Sequence, residues 1–449
     1  MAWKIVIAGG GFGGFHAARS LERTLPPQSA QVTLVTDVNF MLYTPFLPGA
    51  AGGNLEPRHV VVPLRQELGR TELRLAHVTG ADPERRRLRV RTPDGRHEEI
   101  AYDHLVVSLG SVSRTLPIPG LAEHAVGFKT LAEAILLRNR VLHTLEVAEA
   151  LEDRAERVEY LTYVFVGAGY AGLEALAELQ DFAADVIDSY PRCRIEGMRW
   201  LLVEARDRVM PEIPADLAEF ASRELAKRGI EIHTGTTIEE VGPRHVRLAT
   251  GETVPTRTVA WTAGVKPHPV VARLGLPLDD GGRIKVDRFM QVEGREREWA
   301  IGDAAAVPDP ARKGQSSPPT SQHAVRQGRR VGSNVASAIG SGRRRPFTYK
   351  TLGVFVDMGR FQAVASTLGI KTRGRPAWIL ARLYHLSQIP GLGRKLRLLV
   401  DTSVGLLFER DSAELGQLGH RPPLNVVLDP ETGSPGDGTG VDARSERAS

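Results

Sequence analysis

Cysteine is close to absent: Cys193 is the single one in 449 residues. An intrachain disulfide and a cysteine-built metal cluster are therefore excluded, and no metal site is expected. A reducing, cytoplasmic compartment fits the same count. Long apolar runs are missing too, since no stretch reaches the ~18 consecutive apolar residues of a membrane-spanning helix. The N-terminus passes straight into a strand-like segment, so no signal peptide is expected. Acids are scarce in one region. From Arg343 to Arg397 twelve lysines and arginines stand against one carboxylate, Asp357. The whole chain carries only +5, so the remainder is net acidic. Such a block suits an anionic surface, or a merely solvated face. No nucleic-acid-binding module is recognisable, and no nucleic acid partner is expected. With 42 % hydrophobic residues the chain can build sizeable cores, in two or three domains.

What is present is glycine at a particular spacing. WKIVIAGGGFGG, Trp3 to Gly14, reads as a buried parallel strand (Ile5, Val6, Ile7) followed by Gly9, Gly11 and Gly14 in the G-x-G-x-x-G pattern. The first glycine permits a tight turn and the second lets backbone approach a pyrophosphate. The third lets the next helix, expected over about His16 to Leu25, pack close to the sheet. The start of that helix offers unpaired N–H groups and a positive dipole end to phosphate. LTYVFVGAGYAGLE, Leu161 to Glu174, repeats the unit: strand Val164 to Val166, then Gly167, Gly169 and Gly172, then a helix through Leu179. Two such units predict an α/β fold with two dinucleotide sites, one for FAD and one for a nicotinamide.

The acid that binds the adenosine ribose should end the second strand of each unit. In the first, after Gln31 to Val35, that place holds Thr36, with Asp37 next. Asp37 can serve from a shifted position, or Thr36 through its hydroxyl. NFMLYTPFLPGAAGG, Asn39 to Gly53, is apolar and rich in Pro and Gly, and reads as an irregular ligand-lining loop. A hairpin follows around Pro93-Asp94-Gly95, then a strand over Leu105 to Leu109 and a helix over Leu131 to Leu151. In the second unit Glu204 ends the strand Trp200 to Val203, 32 residues after Gly172. The usual gap is about 20, so Asp181 to Gly197 reads as an insertion, with Cys193 incidental inside it. Glu204 favours NADH, because it accepts from a 2′-hydroxyl and repels a 2′-phosphate. Arg206 and Arg208 nearby leave room for NADPH.

REREWAIGDAAAV, Arg295 to Val307, reads as a strand running into Gly302-Asp303. The carboxylate there suits a ribityl hydroxyl of a flavin, or the cap of a helix. A further helix begins in PPTSQHAVRQG, Pro318 to Gly328, where His323 is expected in packing or at the surface. TLGVFVDMGRFQAVA, Thr351 to Ala365, reads as a hairpin turning at Met358-Gly359-Arg360. Pro376 opens a helix through Ile389. Its apolar face is Trp378, Ile379, Leu383, Leu386 and Ile389, and Arg382, His385 and Gln388 form a polar stripe. A second amphipathic run spans Gly393 to Arg410. These faces suit an anionic membrane surface, or packing on the protein itself or on a homodimer mate. From about Asp429 the composition predicts disorder.

Taken in order, these blocks resemble the two-dinucleotide-fold flavoproteins. They are most similar to the type II NADH dehydrogenases, single-subunit NADH:quinone oxidoreductases of the pyridine nucleotide-disulfide oxidoreductase superfamily. The likeness runs from Lys4 to Arg410, and NFMLYTPFLP and PPTSQHAVRQG are its specific parts. It implies an FAD domain (1–120 and 265–345) interrupted by a helical connection and NADH domain (121–264). A membrane-associating segment (346–410) and a tail (411–449) follow. It also implies that Gly9, Gly11, Gly14, Thr44, Pro45, Gly302 and Asp303 contact FAD, and that Gly167, Gly169, Gly172 and Glu204 contact NADH. Glu174 matches a family glutamate near nicotinamide and flavin, and is the candidate proton relay.

Gln322 matches the first glutamine of the family's A-Q-x-x-x-Q quinone motif. The pattern then departs: Ser321 replaces its alanine, and Arg326 its second glutamine, with Gln327 following. Disulfide reductases and sulfide:quinone reductases of this fold need cysteines beside the flavin, and this chain has none there. The implied reaction passes electrons from NADH through FAD to a membrane quinone, without proton pumping, on the cytoplasmic face of the membrane. Two other readings share the motifs. One is a soluble NAD(P)H reductase of an iron–sulfur protein. The other is a flavoprotein that senses redox state by binding NADH.

Overall fold

The computed structural model describes residues 2–349, 351 and 353–414. Residues 1–412 form one unit, and Ala413 begins a second. The expected disorder beyond Asp429 lies outside the described residues.

The first sheet grows around β1 (Trp3–Ala8), whose last four residues are all buried. A strand apolar on both faces needs cover on both faces, which is the signature of a parallel sheet. β1 pairs in parallel with β2 (Ala30–Thr36) on one side, and β2 with β3 (Glu72–Leu75). On its other side lies β4 (His104–Val107). β1 feeds α1 (Phe12–Thr24), which starts earlier than the sequence suggests. Gly13 and Gly14 therefore lie inside its first turn. Their poor helix propensity is outweighed by close packing, because a Cβ on Gly14 would sit 1.8 Å from the Gly9 carbonyl oxygen.

The second sheet repeats the plan with β5 (Ala125–Gly127), β6 (Thr162–Val166), β7 (Arg199–Glu204), β8 (Ile230–Thr234) and β9 (Thr258–Trp261). Its order is β5-β9-β6-β7-β8, parallel throughout. α2 (Leu131–Ala150) opens on a capping box formed by Thr130 and Glu133. α3 (Tyr170–Val186) follows the second glycine turn and runs on past Leu179. The apparent insertion is thus partly helix: the end of α3, a turn at Ile187–Ser189 and a short helix at Pro191–Glu196.

The chain then returns to the first sheet as β10 (Glu298–Ala300), giving the order β10-β4-β1-β2-β3. In each sheet the order reverses beside the glycine-turn strand, which opens a crevice there. α4 (Ser321–Ala338) lies along α1. Gly328 and Gly332 make that approach possible: a Cβ on Gly328 would fall 2.3 Å from the Gly13 oxygen, and one on Gly332 2.7 Å from the Ala17 oxygen.

Two segments differ from expectation. The apolar stretch 39–53 is not irregular. It folds as a strand at Phe40–Leu42, a 3-10 turn at Thr44–Phe46 and a short helix at Leu47–Ala51. Pro45 and Pro48 each stand at the start of a helical turn, where a missing N–H costs nothing. The C-terminal hairpin, β11 (Gly353–Asp357) with β12 (Ala363–Thr367), gains a third antiparallel strand, β13 (Ile370–Gly374). The polar sequence IKTRG hid that edge strand. α5 (Arg375–Gln388) and α6 (Leu392–Leu407) close the described chain, with Pro376 in the first turn of α5 as its position predicts.

Gly328→Ala should cost about 1–3 kcal/mol through overpacking against backbone. A lower urea midpoint is the expected result, and an unchanged midpoint would show that α1 and α4 can separate freely.

Candidate functional site

The two glycine turns have one geometry. Gly9 and Gly167 have φ of +106° and +103°, a region that L side chains avoid. A Cβ on Gly172 would lie 1.9 Å from the Gly167 oxygen, matching the Gly14 contact in the first turn. Beside Gly11 and Gly169, by contrast, a Cβ would meet nothing within 4 Å. These are the open sides of the turns. Other helices start differently: Thr130, Asp153 and Thr320 cap theirs with side chains, whereas α1 and α3 start on glycine with no side-chain cap. Their first N–H groups remain for an anion, which fits a dinucleotide pyrophosphate at each turn.

At the end of β2, Thr36 is buried beneath the first turn, where a Cβ on Gly10 would meet its Oγ1 at 2.8 Å. Asp37, one residue on, is exposed. Thr36 therefore packs the turn, and the carboxylate stands at its rim. At the end of β7, Glu204 Oε2 accepts from the Ala168 N–H at 2.7 Å, and Oε1 from the Arg206 N–H at 3.0 Å. This places the carboxylate at the lip of the second turn. The two nearby arginines are engaged elsewhere. Arg206 reaches Glu212 at 3.3 Å, and Arg208 donates to the carbonyls of Pro211 and Ile213.

Thr44 and Pro45 lie in the 3-10 turn after Tyr43 and are both partly exposed. Gly302, with φ of +67°, donates its N–H to Gln327 Oε1 at 2.7 Å. Asp303 accepts from the Ser111 hydroxyl and lies 3.9 Å from Lys129 Nζ, which itself donates to Ser111. Asp303 caps no helix, because Ala305–Ala306 is a strand. Burial lowers the Lys129 pKa, and Asp303 and Glu133 oppose that shift.

Glu174, in the first turns of α3, accepts from the Asp357 N–H at 3.0 Å. Asp357 ends β11. At the other end of that strand, Gln322 Nε2 donates to the Gly353 carbonyl at 3.3 Å. The structure thus brings Glu174 and Gln322 to one strand but holds them at opposite ends, about 13 Å apart at ~3.3 Å per residue. Gln322 also accepts from the Tyr349 hydroxyl at 2.7 Å, and the Arg326 guanidinium lies 4.3 Å from the centre of the Tyr349 ring. His323 is buried, with Nδ1 2.7 Å from the Thr320 hydroxyl, which is a packing role.

Burial pushes the Glu174 pKa up to about 8. The Asp357 N–H opposes the shift, Asp357 and Glu178 charges add to it, and Arg382 opposes it. Phe355 in β11 stacks on Tyr384 of α5 at 5.0 Å. His385 packs on Phe46 and bonds to the Tyr43 hydroxyl at 3.2 Å. His385 and Arg382 were expected on an outward polar stripe, but both face inward. Burial pushes His385 down to about 3, leaving it neutral. Arg382 reaches Asp357 at 3.6 Å. Ile379, Leu380 and Leu383 of the same helix are exposed instead.

Residues 3–328 match the family model of the pyridine nucleotide-disulphide oxidoreductases. The chain belongs to that family. It is 30 % identical over 397 residues to demethylphylloquinone reductase NdbB of Synechocystis, covering 86 % of this chain and 92 % of that protein. It is 27 % identical over 426 residues to the type II NADH:quinone oxidoreductase Ndh of Mycobacterium tuberculosis, covering 91 % and 89 %. The fold is similar to that of NDH2 from Plasmodium falciparum, solved in complex with NADH. That match has a TM-score of 0.85 at 17 % identity and covers 92 % of this chain and 100 % of that one.

This pyridine nucleotide-disulphide oxidoreductase cannot use a disulfide of its own. Its one thiol, Cys193, is buried and pushed up to about 12, chiefly by burial. The spacing gives no hint of Lys129, which becomes visible only when the two sheets meet. The carboxylates around Glu174 did leave a trace. Glu174, Glu178, Asp181 and Asp185 recur at helical spacing on one face of α3, and Glu178 and Asp181 are buried. Arg410 ties them together: it pairs with Asp181, lies 3.2 Å from Asp185 and 4.0 Å from Glu178. Arg360 adds a second bond to Asp181 at 2.8 Å, and Asn54 donates to Glu178 at 2.8 Å.

Glu204→Gln keeps an acceptor for Ala168 but removes the charge. The ratio of kcat/KM for NADH over NADPH should fall about tenfold. An unchanged ratio would detach Glu204 from nucleotide choice. Arg410→Ala leaves Asp181 with Arg360 and Glu178 with Asn54 as remaining partners, and the weakened compensation of these buried carboxylates should cost about 1–3 kcal/mol. Burial raises the Glu178 pKa, so protonation should relieve part of that cost. Urea unfolding is expected to show the loss largest at alkaline pH and shrinking as pH falls.

Proposed function

We propose that this chain is an FAD-dependent NADH:quinone oxidoreductase, bound peripherally to the cytoplasmic face of a membrane. One observation carries the reading. The helix that begins at the second glycine turn presents a buried carboxyl, Glu174, to a strand whose far end is held by Gln322. In this reading Glu174 bears the proton at one end of the strand and Gln322 marks the acceptor side at the other. The named activities of the relatives support the same reading.

When bound, FAD supplies the redox chemistry that links a hydride donor to an electron acceptor. The chain supplies position and protons. In this reading residues 1–120 and 265–345 hold FAD. The uncapped start of α1 faces its pyrophosphate, Thr44 and Pro45 line its approach, and Asp303, fixed by Ser111 and Lys129, accepts from its ribityl chain. Residues 121–264 hold NADH, with Glu204 on the ribose and the start of α3 on the pyrophosphate. Quinone reduction consumes protons. Glu174, with a pKa raised to about 8, holds one at neutral pH without being charged. In this reading Arg326 and Gln322 orient the polar head of the quinone.

The membrane part of the reading rests on α5 and α6. Their exposed side chains include Leu383, Leu396, Val400, Leu407 and Phe408, a surface too apolar to be left in water. Among the described residues no helix is long and apolar enough to cross a membrane. An amphipathic pair lying in the interface fits both facts. The inward turn of Arg382 and His385 is what frees the apolar side of α5.

Anaerobic stopped-flow with NADH, then a short-chain quinone, tests the proposal. Fast flavin bleaching followed by fast reoxidation is expected, and sluggish reoxidation by every quinone would overturn it. Glu174→Gln should leave bleaching intact and slow reoxidation about 10²-fold, the scale of one general acid. Glu174 is protonated below about pH 8 and loses its proton above. Wild-type reoxidation should therefore fall as pH rises through that value, and the variant should lack the step. A matching pH step in the variant would remove Glu174 from the proton path.

A further inference from the structure

Away from the glycine turns, α1 and α4 enclose a cavity of about 240 Å³. Three arginines line it, Arg19 and Arg23 from α1 and Arg329 from α4, together with Ser20, Thr24 and Ser333. His16 forms part of the wall. The hydroxyls are satisfied locally: Ser20 donates to the Arg329 carbonyl at 2.8 Å and Thr24 to the Ser20 carbonyl at 2.8 Å. Arg19 lies over the Phe15 ring at 5.5 Å, and among the described residues no carboxylate pairs with the three guanidiniums. The charges that Arg329 feels most are Arg326, Arg23 and Arg19, all of its own sign. His16 feels the same set and is held neutral, with burial the larger cause. Glu22, the acid on that stretch of α1, is committed elsewhere. It accepts from the Arg70 and Thr71 N–H groups, each at 2.8 Å.

Like charges gathered around one cavity repel, and nothing in the packing of α1 on α4 calls for them. That packing runs through Gly13, Ala17, Gly328 and Gly332. An anion turns the repulsion into attraction. Forked guanidiniums match the oxygens of a phosphate, which they grip in pairs of hydrogen bonds. The position narrows the choice. Tyr384 of α5 lies within electrostatic reach of Arg329, and the exposed Leu380 and Leu383 belong to that same helix. A phospholipid whose phosphate the arginines hold would have the apolar side chains of α5 to receive its acyl chains.

We propose that the α1–α4 cavity binds the phosphate of an anionic membrane phospholipid through Arg19, Arg23 and Arg329. It thereby anchors the edge of the surface that α5 and α6 present to the bilayer. The site rests on the membrane reading of those two helices.

Flotation of the FAD-loaded full chain tests it, with phosphatidylcholine vesicles alone or doped with phosphatidylglycerol. Each arginine near an anionic surface is worth about fivefold in partition. The triple variant Arg19→Gln/Arg23→Gln/Arg329→Gln should thus lose about 100-fold on doped vesicles and little on pure phosphatidylcholine. Its flavin content and its bleaching by NADH should match wild type, which shows that it is folded. The triple Arg→Lys variant keeps the charge but not the fork, and should fall between the two. Parity of the lysine variant with wild type would mean a diffuse potential and overturn the site. Parity of the glutamine variant would overturn it outright. If inorganic phosphate raises the wild-type Tm but not that of the glutamine variant, while both float equally, the ligand is a soluble anion and the lipid assignment fails. If wild type floats on neither vesicle, the membrane reading itself falls, a result distinct from the others.

Discussion

Where Gly14 meets Gly9, and again where Gly172 meets Gly167, a helix backbone rests on a strand turn with no room for a methyl group. That contact sets much of what surrounds it. It fixes how close each helix lies to its sheet, and so where the first N–H groups of α1 and α3 point. It leaves the middle glycine of each turn open on one side. The same economy recurs between α1 and α4, where Gly328 and Gly332 replace side-chain packing by backbone contact. α4 is thereby held against the first nucleotide turn, and its first turn carries Gln322 toward β11. Small residues in these few places transmit position across the first unit.

The second organising feature is electrostatic. Charged groups are buried on one face of α3, and they are tolerable only because each carboxylate meets a cation or a hydrogen-bond donor. Asp181 meets Arg360 and Arg410, Asp357 meets Arg382, and Glu178 meets Asn54. Glu174 has the least of this: it accepts from one N–H and keeps its proton. Pairing thus settles part of the network, and protonation settles Glu174, on the nucleotide helix itself. The inversion of α5 belongs to the same balance. Arg382 is drawn inward by Asp357 and shares the buried side with Trp378 and Leu386, while Ile379, Leu380 and Leu383 are left outside.

Much of this was legible in the sequence. The strand–glycine–helix units, the acid at Glu204 and the loop at Gly302-Asp303 all depend on local backbone geometry, which a few residues dictate. α2 begins where its apolar spacing starts, and α5 where its proline stands. The stretch 39–53 was read as irregular because its apolar, proline-bearing composition has no period, yet two prolines at first turns make it helical. What stayed hidden depends on partners far apart in the chain. Lys129 acquires meaning only beside Asp303. The inward side of α5 is set by Asp357 and Tyr43, against the usual rule that polar residues face water. β13 is an edge strand of polar residues, with no apolar alternation to mark it.

Arg410 also has a consequence in time. The acids of α3 are synthesised more than two hundred residues before it. At 5–20 residues per second they wait roughly ten to forty-five seconds on the ribosome for their last cation. Until then that face of α3 is a run of carboxylates without its full set of partners, and water or protons must satisfy it. The second nucleotide unit therefore cannot reach its final state when its own strands are complete. It stays provisional until Arg410 has emerged and come back to it, so maturation waits on a residue far downstream of that unit's own strands.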